Sequence, residues 1–396
     1  MSRSFTATML RAIRLMRARK QTKTARELNK VMAGFMAPSV LAALKLKPAK
    51  SRKAAPPKAG QALGTVLKQL SVAQSLMSGA ATPATRETMP GIPKGGQYLA
   101  RTHRSAAGSR DYKLYLPASQ PKRPKGLILM LHGCSQTPDD FAAGTHMNAL
   151  AEKHDLCVAY PAQIRGHNAA SCWNWFSPRH QIRGAGEPAI LASLTRKLMK
   201  ELGLGRDAVF VAGLSAGGAM AMILADLYPD IYSAAGIHSG LARGSARDLI
   251  SAMSVMRHGK ATNGGATKGS ATNGGGPIVA AHSLLTLPAL PALPVRLIIF
   301  QGTADSTVHP ANAAMIVDAA VGGDAVPTKI GKRSVGGRGY ARSDYAGPDG
   351  ATLIELWMIE GAGHAWSGGR AAGSYTDRTG PDASAHMIRF FTAKAA

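Results

Sequence analysis

From residue 126 to the end of the chain, short apolar runs alternate with segments of helical spacing, and no other feature constrains the fold as much. Gly126–Leu131 (GLILML) ends at His132-Gly133 and carries the signal of a buried strand. Asp139–His154 has helical spacing, Leu156–Tyr160 reads as a second strand, and Glu187–Leu202 as a helix. Ala208–Ala212 runs as a strand into Gly213, and Ala216–Tyr228 returns as a helix. Ser233–Ile237, Val295–Phe300 and Thr352–Ile359 are further strands, with helices at Pro310–Val321 and Asp382–Lys394. Successive parallel strands need long crossovers, which helices supply. The pattern therefore predicts an α/β domain with a mainly parallel central sheet and helices on both faces.

Composition supports a large core and excludes several alternatives. Apolar residues are 45% of the 396, and charged residues only 18%, too few for a wholly disordered chain or a coiled coil. No uncharged apolar run reaches the length of a membrane-spanning helix. Cys134, Cys157 and Cys172 allow at most one disulfide and contain no C-x-x-C pair, which excludes a disulfide scaffold and a cysteine zinc site.

Charge divides the chain. Residues 1–100 carry 18 basic side chains against Glu27 and Glu87, a net +16, out of +26 for the whole protein. We read them as a basic, partly helical or disordered N-terminal arm, preceding a globular domain over residues 101–396. Within the arm, residues 5–36 have an imperfect amphipathic pattern, residues 45–60 form a Lys/Pro/Ala-rich linker, and Leu63–Met77 reads as another short helix. Met32–Leu44 is apolar enough for a secretory signal, but a largely polar and basic stretch precedes it, so a standard signal peptide is not expected. A second interruption, over residues 258–277, repeats Ala-Thr-Asn-Gly-Gly at 261–265 and 271–275, and is expected to be a flexible surface insertion.

Gly213-Leu214-Ser215-Ala216-Gly217 is a G-x-S-x-G lying directly between a predicted strand and a predicted helix. That context is the one a nucleophile elbow requires, because the turn is tight and tolerates only small neighbours. A serine hydroxyl needs a base and an orienting acid. Asp305 and His364 each follow a predicted strand, in the order serine, acid, histidine, at spacings of 90 and then 59 residues. His309 and His238 compete less well: the first belongs to the loop or the following helix, and the second has no acid between it and Ser215. The expected oxyanion donors are the backbone N–H of Ala216 and that of Cys134, in the loop after an early strand. Trp173, Trp175 and Trp366 cluster near these loops. Trp173 and Trp366 are expected to line an apolar acyl or polymer crevice, with core packing the alternative, on equal terms for Trp175. No metal-binding or nucleotide-binding signature is present, so no cofactor is expected.

Leu131-His132-Gly133-Cys134-Ser135-Gln136, Cys172-Trp173-Asn174-Trp175-Phe176, Gly213–Met220 and Gly363-His364-Ala365-Trp366-Ser367-Gly368-Gly369 together resemble the poly(3-hydroxybutyrate) depolymerase family of esterases. The segments Ser374-Tyr375-Thr376-Asp377 and Gly380-Pro381-Asp382-Ala383-Ser384 extend the likeness, which spans residues 110–395. The resemblance implies the α/β-hydrolase fold, cleavage of short hydroxyacid esters, triad roles for Ser215, Asp305 and His364, and the oxyanion role for Cys134. It also implies a polyester or small ester as substrate and an extracellular location. The alternative location is cytoplasmic and granule-associated.

Two rival functions are a feruloyl or acetyl-type carbohydrate esterase, which shares the machinery, and a basic granule- or nucleic-acid-binding protein with an inactive hydrolase body. Residues 1–60 are expected to engage an anionic surface: a granule coat, a membrane or nucleic acid. Cys134 and Cys172 flank the candidate site. They are expected to pair if the protein is exported, and equally to stay as buried thiols otherwise.

Overall fold

Strands of unbroken apolar sequence have no polar face to offer water, so they occupy the middle of a sheet covered on both sides. A computed structural model describes residues 89–119, 124–259, 295–322, 325–347 and 350–393. Its strands are β1 (Gln97–Ser105), β2 (Gly108–Leu116), β3 (Gly126–Leu131), β4 (Leu156–Pro161), β5 (Val209–Leu214), β6 (Ala234–His238), β7 (Arg296–Gly302), β8 (Lys329–Val335), β9 (Arg338–Ala346) and β10 (Thr352–Ile359). All ten form one sheet in the order β1-β2-β4-β3-β5-β6-β7-β10-β9-β8. The six central strands, from β4 to β10, run parallel. Every residue of β3, β4, β5 and β6 is buried.

Side-chain alternation along β3 separates two cores. Leu127, Leu129 and Leu131 pack on one face, against α3 (Gly186–Leu202), α4 (Ala216–Leu227), α5 (Leu249–His258) and α6 (Ala311–Val321). Ile128 and Met130 pack on the other, against α1 (Pro138–Thr145), α2 (Met147–His154) and α7 (Ala383–Thr392). Helices therefore cover both faces, as the strand–helix alternation predicts.

The differences from the sequence reading lie at the edges. Antiparallel hairpins β1–β2 and β9–β8 flank the parallel centre. Their strands are half exposed and mostly polar: β8 is KIGKRSV, with six of its seven residues exposed. Such a sequence carries no buried-strand signal. Its Lys329, Lys332 and Arg333 are suited to an outermost strand, where charge discourages pairing with another chain. The single helix expected over 139–154 is two helices, because His146 takes a left-handed φ of 55° between them. Helix α5 was not expected. Asp248 and Ser251 cap its start reciprocally, and Gly259 closes its end with φ 60°.

Residues 1–88, with the helices and linker expected there, and 260–294, with most of the Gly-rich insertion expected over 258–277, lie outside the described residues. The described chain enters its first strand at Gln97.

Candidate active site

Strand β5 ends at Leu214, and Ser215 turns the chain into α4 with φ 57° and ψ −120°, a backbone conformation that a side chain pays for. Neighbouring backbones hold it there. Ser215 N–H donates to the His238 carbonyl at the end of β6, 2.9 Å away. A Cβ on Gly217 would lie 2.0 Å from the Leu131 carbonyl oxygen at the end of β3, and one on Gly213 would lie 2.4 Å from the Gly217 carbonyl. Only glycine fits either place. The G-x-S-x-G spacing is thus what lets the elbow sit between β3 and β6.

Asp305 and His364 meet on loops beyond the carboxyl ends of β7 and β10. His364 Nδ1 donates to Asp305 Oδ2 at 2.8 Å, which in the neutral ring leaves Nε2 as the acceptor. Gln301 Nε2 also donates to Oδ2, at 3.3 Å, and the Thr307 and Val308 amides donate to Oδ1 at 2.9 and 2.8 Å. Burial works to raise the Asp305 carboxyl. The hydrogen bond and charge of His364 and the two amides outweigh it, and hold the group below the ordinary aspartate value. The two loops are locked by backbone contact: Ala304 N–H donates to the Ala362 carbonyl at 3.0 Å, and a Cβ on Gly302 would lie 2.3 Å from that same oxygen.

The structure thus joins Asp305 to His364 and presents Ser215 at the carboxyl end of β5, at the same end of the sheet with β6 between β5 and β7. Among the described residues, no hydrogen bond links Ser215 Oγ to His364. Bonds of this kind are often long without substrate and tighten in the complex.

The loop from His132 to Gln136 follows β3 and is anchored from several sides. His132 Nδ1 donates to the Gly133 carbonyl, its Nε2 accepts from Gln163 N–H at 3.0 Å, and its carbonyl accepts from Trp173 Nε1 at 3.0 Å. Gly133 N–H donates to Gln136 Oε1, and Ser135 N–H to the Ala170 carbonyl, each at 2.9 Å. A disulfide joins Cys134 to Cys172 across 38 residues, with Cα atoms 4.2 Å apart. Cys157 is the free thiol, and burial pushes it up to about 12. Among the described residues, the amides of Cys134 and Ala216 donate to no protein acceptor.

Sequence reasoning missed Glu187. This buried carboxylate near the start of α3 accepts from Asn174 N–H at 2.8 Å, Asn174 Nδ2 at 2.9 Å and Gln163 Nε2 at 2.6 Å. It also pairs with Arg110 at 3.5 Å and His180 at 3.3 Å. Burial alone would raise it, but His180, Arg110 and the Asn174 amide keep it below the ordinary glutamate value. Through Gln163 and Asn174 it fixes both the His132 loop and the segment that carries Cys172. A glutamate at a helix start is usually a surface residue, so nothing in the sequence pattern marks this one as buried.

Trp173 and Trp366 do not line a crevice. They are 0% and 1% exposed. Trp173 spends its indole N–H on the His132 carbonyl, while Trp366 bonds Ser384 Oγ at 3.0 Å and stacks on His238. Both act as walls behind the loops, and Trp175 is also buried. His238 is structural too. It lies between the Phe300 and Trp366 rings, and its Nε2 accepts from Ser367 N–H at 3.0 Å. Among the described residues, no cluster of three His, Cys, Asp or Glu side chains is placed to hold a metal ion.

Residues 110–337 match the family described as esterase PHB depolymerase. Poly(3-hydroxyalkanoate) depolymerase C of Paucimonas lemoignei is 30% identical over 252 residues, covering 63% of this chain and 56% of that protein. Probable acetylxylan esterase A of Aspergillus clavatus is 29% identical over 206 residues, covering 50% of this chain and 61% of that protein. The chain thus spans little more than half the length of these relatives. The solved structure of an acetyl xylan esterase from Aspergillus awamori superposes with a TM-score of 0.50 at 19% identity, covering 68% of this chain and 93% of that one. The shared architecture is the α/β-hydrolase fold.

Two predictions follow from the anchoring. Thiol titration of the unfolded, unreduced protein is expected to give one free cysteine, Cys157; three would exclude the Cys134–Cys172 bridge. The second concerns acid. Burial lowers His132 to about 4 and His238 to about 3, whereas an unfolded histidine takes its proton near pH 6.5. Between those values the unfolded chain holds more protons, so stability is complete above about pH 6.5 and falls as pH drops. Urea unfolding at pH 7 and pH 5 is expected to differ by roughly 2 kcal/mol per histidine. Equal stabilities would show that these rings are not buried and neutral.

Proposed function

The chain belongs to the PHB depolymerase family of esterases, and on that premise we propose that it is a serine carboxylic ester hydrolase acting on poly(3-hydroxybutyrate) or related short hydroxyacid esters. The observation that carries the reading is the Asp305–His364 bond of 2.8 Å, made on loops at the same end of the parallel sheet as the strained turn of Ser215. Ser215 Oγ attacks the ester carbonyl while His364 Nε2 takes its proton, and Asp305 holds the ring and stabilises the imidazolium. Charge that develops on the carbonyl oxygen is met by the amides of Ala216 and Cys134. His364 then passes the proton to the leaving alkoxide, giving an alcohol and an acyl-enzyme. Water, activated by the same histidine, releases the acid and restores Ser215.

The Aspergillus clavatus relative, a probable acetylxylan esterase, favours a second reading, a carbohydrate esterase of the acetyl type. The bridge beside the site fits an oxidising compartment, and so an extracellular enzyme. The basic arm, the residues before β1 begins at Gln97, completes the proposal and takes no part in the chemistry. Its first 60 residues would hold the enzyme to an anionic surface, where each juxtaposed Lys or Arg adds about 1 kcal/mol and salt screens the attraction.

Ser215→Ala is expected to lower kcat by ~10⁴–10⁶ with folding intact, and Asp305→Asn by about 10⁴ through the wrong imidazole tautomer. Near-wild-type turnover by Asp305→Asn would mean that another carboxylate orients His364. Hydrolysis of 3-hydroxybutyrate oligomers in preference to acetylated xylan and feruloyl esters supports the first substrate class, and the reverse preference supports the second. Removing residues 1–88 is expected to leave turnover of a soluble ester in place and to abolish salt-sensitive binding to anionic vesicles. Unchanged binding across a salt series would leave the arm without that role.

A further inference from the structure

Tyr375 takes a left-handed φ of 51°, unusual for a bulky side chain, and is 37% exposed. The surrounding structure enforces that turn. On one side Ser374 N–H and Oγ both donate to the Asp140 carboxylate, at 2.8 and 2.6 Å. On the other, the Tyr375 carbonyl accepts from Trp366 N–H at 2.7 Å, two residues beyond His364. The phenol oxygen lies 3.2 Å from Ser135 Oγ, and Ser135, itself at φ 60°, directly follows Cys134. The ring therefore reaches from the His364 loop to the proposed oxyanion loop, beside the place where an ester carbonyl is expected.

Proton counting fixes what this hydroxyl pair offers a ligand. Ser135 has one hydroxyl proton and gives it to the Cys134 carbonyl at 2.6 Å. The Tyr375 hydroxyl must then be the donor to Ser135 Oγ, because Ser135 has no proton left. What remains at the exposed tyrosine oxygen is acceptor capacity alone. It matches a hydroxyl group and is mismatched to an ether or ester oxygen, which has no proton to give.

We propose that Tyr375, oriented by Ser135, is a specificity residue that accepts a hydrogen bond from the free 3-hydroxyl of the acyl unit being cleaved. This rests on the ester-hydrolase reading and deepens it. The subsite selects the hydroxyl-bearing end of a short hydroxyacid oligomer over chain interiors, where the 3-oxygen is already esterified.

The test is the ratio of kcat/KM for ethyl 3-hydroxybutyrate to that for ethyl 3-methoxybutyrate, measured for the wild type and Tyr375→Phe. The wild type is expected to prefer the hydroxy ester, and the variant to lose about tenfold of that preference, the effect of one hydrogen bond. An unchanged ratio overturns the proposal, even if both rates fall together, because a mere brace for the loop would slow both esters alike. Binding separates this from the catalytic reading. Calorimetry of the linear 3-hydroxybutyrate trimer with Ser215→Ala protein is expected to show about tenfold weaker affinity when Tyr375→Phe is added. If the wild type hydrolyses neither ester but this difference appears, the esterase reading fails and the subsite stands. Equal affinity, or no binding of the trimer to Ser215→Ala protein, overturns the subsite.

Discussion

The backbone contact between the elbow and the ends of β3 and β6 is the constraint on which the rest of the site depends. Ser215 keeps its unfavourable φ because Gly217 lies against the Leu131 carbonyl and the Ser215 amide is bonded to His238. A strained residue persists only where its surroundings leave it no relaxed alternative. Here the surroundings are three adjacent strands buried on both faces, among the most rigid parts of such a fold. Strain at the serine is therefore supported by the packing of the whole central sheet.

The loops around the serine obtain their rigidity differently. They have no ladder of their own, so buried polar groups and one covalent bridge replace it. Glu187 gathers donors from Gln163 and Asn174, His132 joins Gln163 to the loop after β3, and Cys134–Cys172 ties the same two segments. Asp140 and Gln136 hold Ser374, and with it the strap that carries Tyr375. Each of these groups is costly to bury alone and stabilising when fully paired. The consequence is a set of amides and hydroxyls whose directions are set before any ligand arrives, which is what electrostatic stabilisation of a developing charge requires.

The tryptophans show how proximity in sequence misleads about exposure. Trp173 and Trp366 neighbour the site-forming segments in the chain, yet each turns inward and gives its indole N–H to a buried oxygen. Large aromatic rings stabilise more by burial than by waiting at an opening. Tyr375, which carries a polar tip, remains accessible beside the loop that follows β3.

The sequence by itself determined the centre of the sheet, the elbow and the order of the candidate residues. Those features are local: an apolar run such as GLILML has to be buried whatever its partners, and glycines two residues either side of Ser215 mark a turn that no larger residue tolerates. Tertiary structure alone decided the rest. The polar hairpins at the sheet edges form because β4 and β10, the outer strands of the parallel centre, offer unpaired edges, not because KIGKRSV demands a strand. Glu187 is buried because four residues, Arg110, Gln163, Asn174 and His180, converge on it. Ser135 and Tyr375 are 240 residues apart and meet only because the sheet brings the ends of β3 and β10 to one side. Contacts of that kind leave no periodicity to read, since the chain between them carries no record of where it will return.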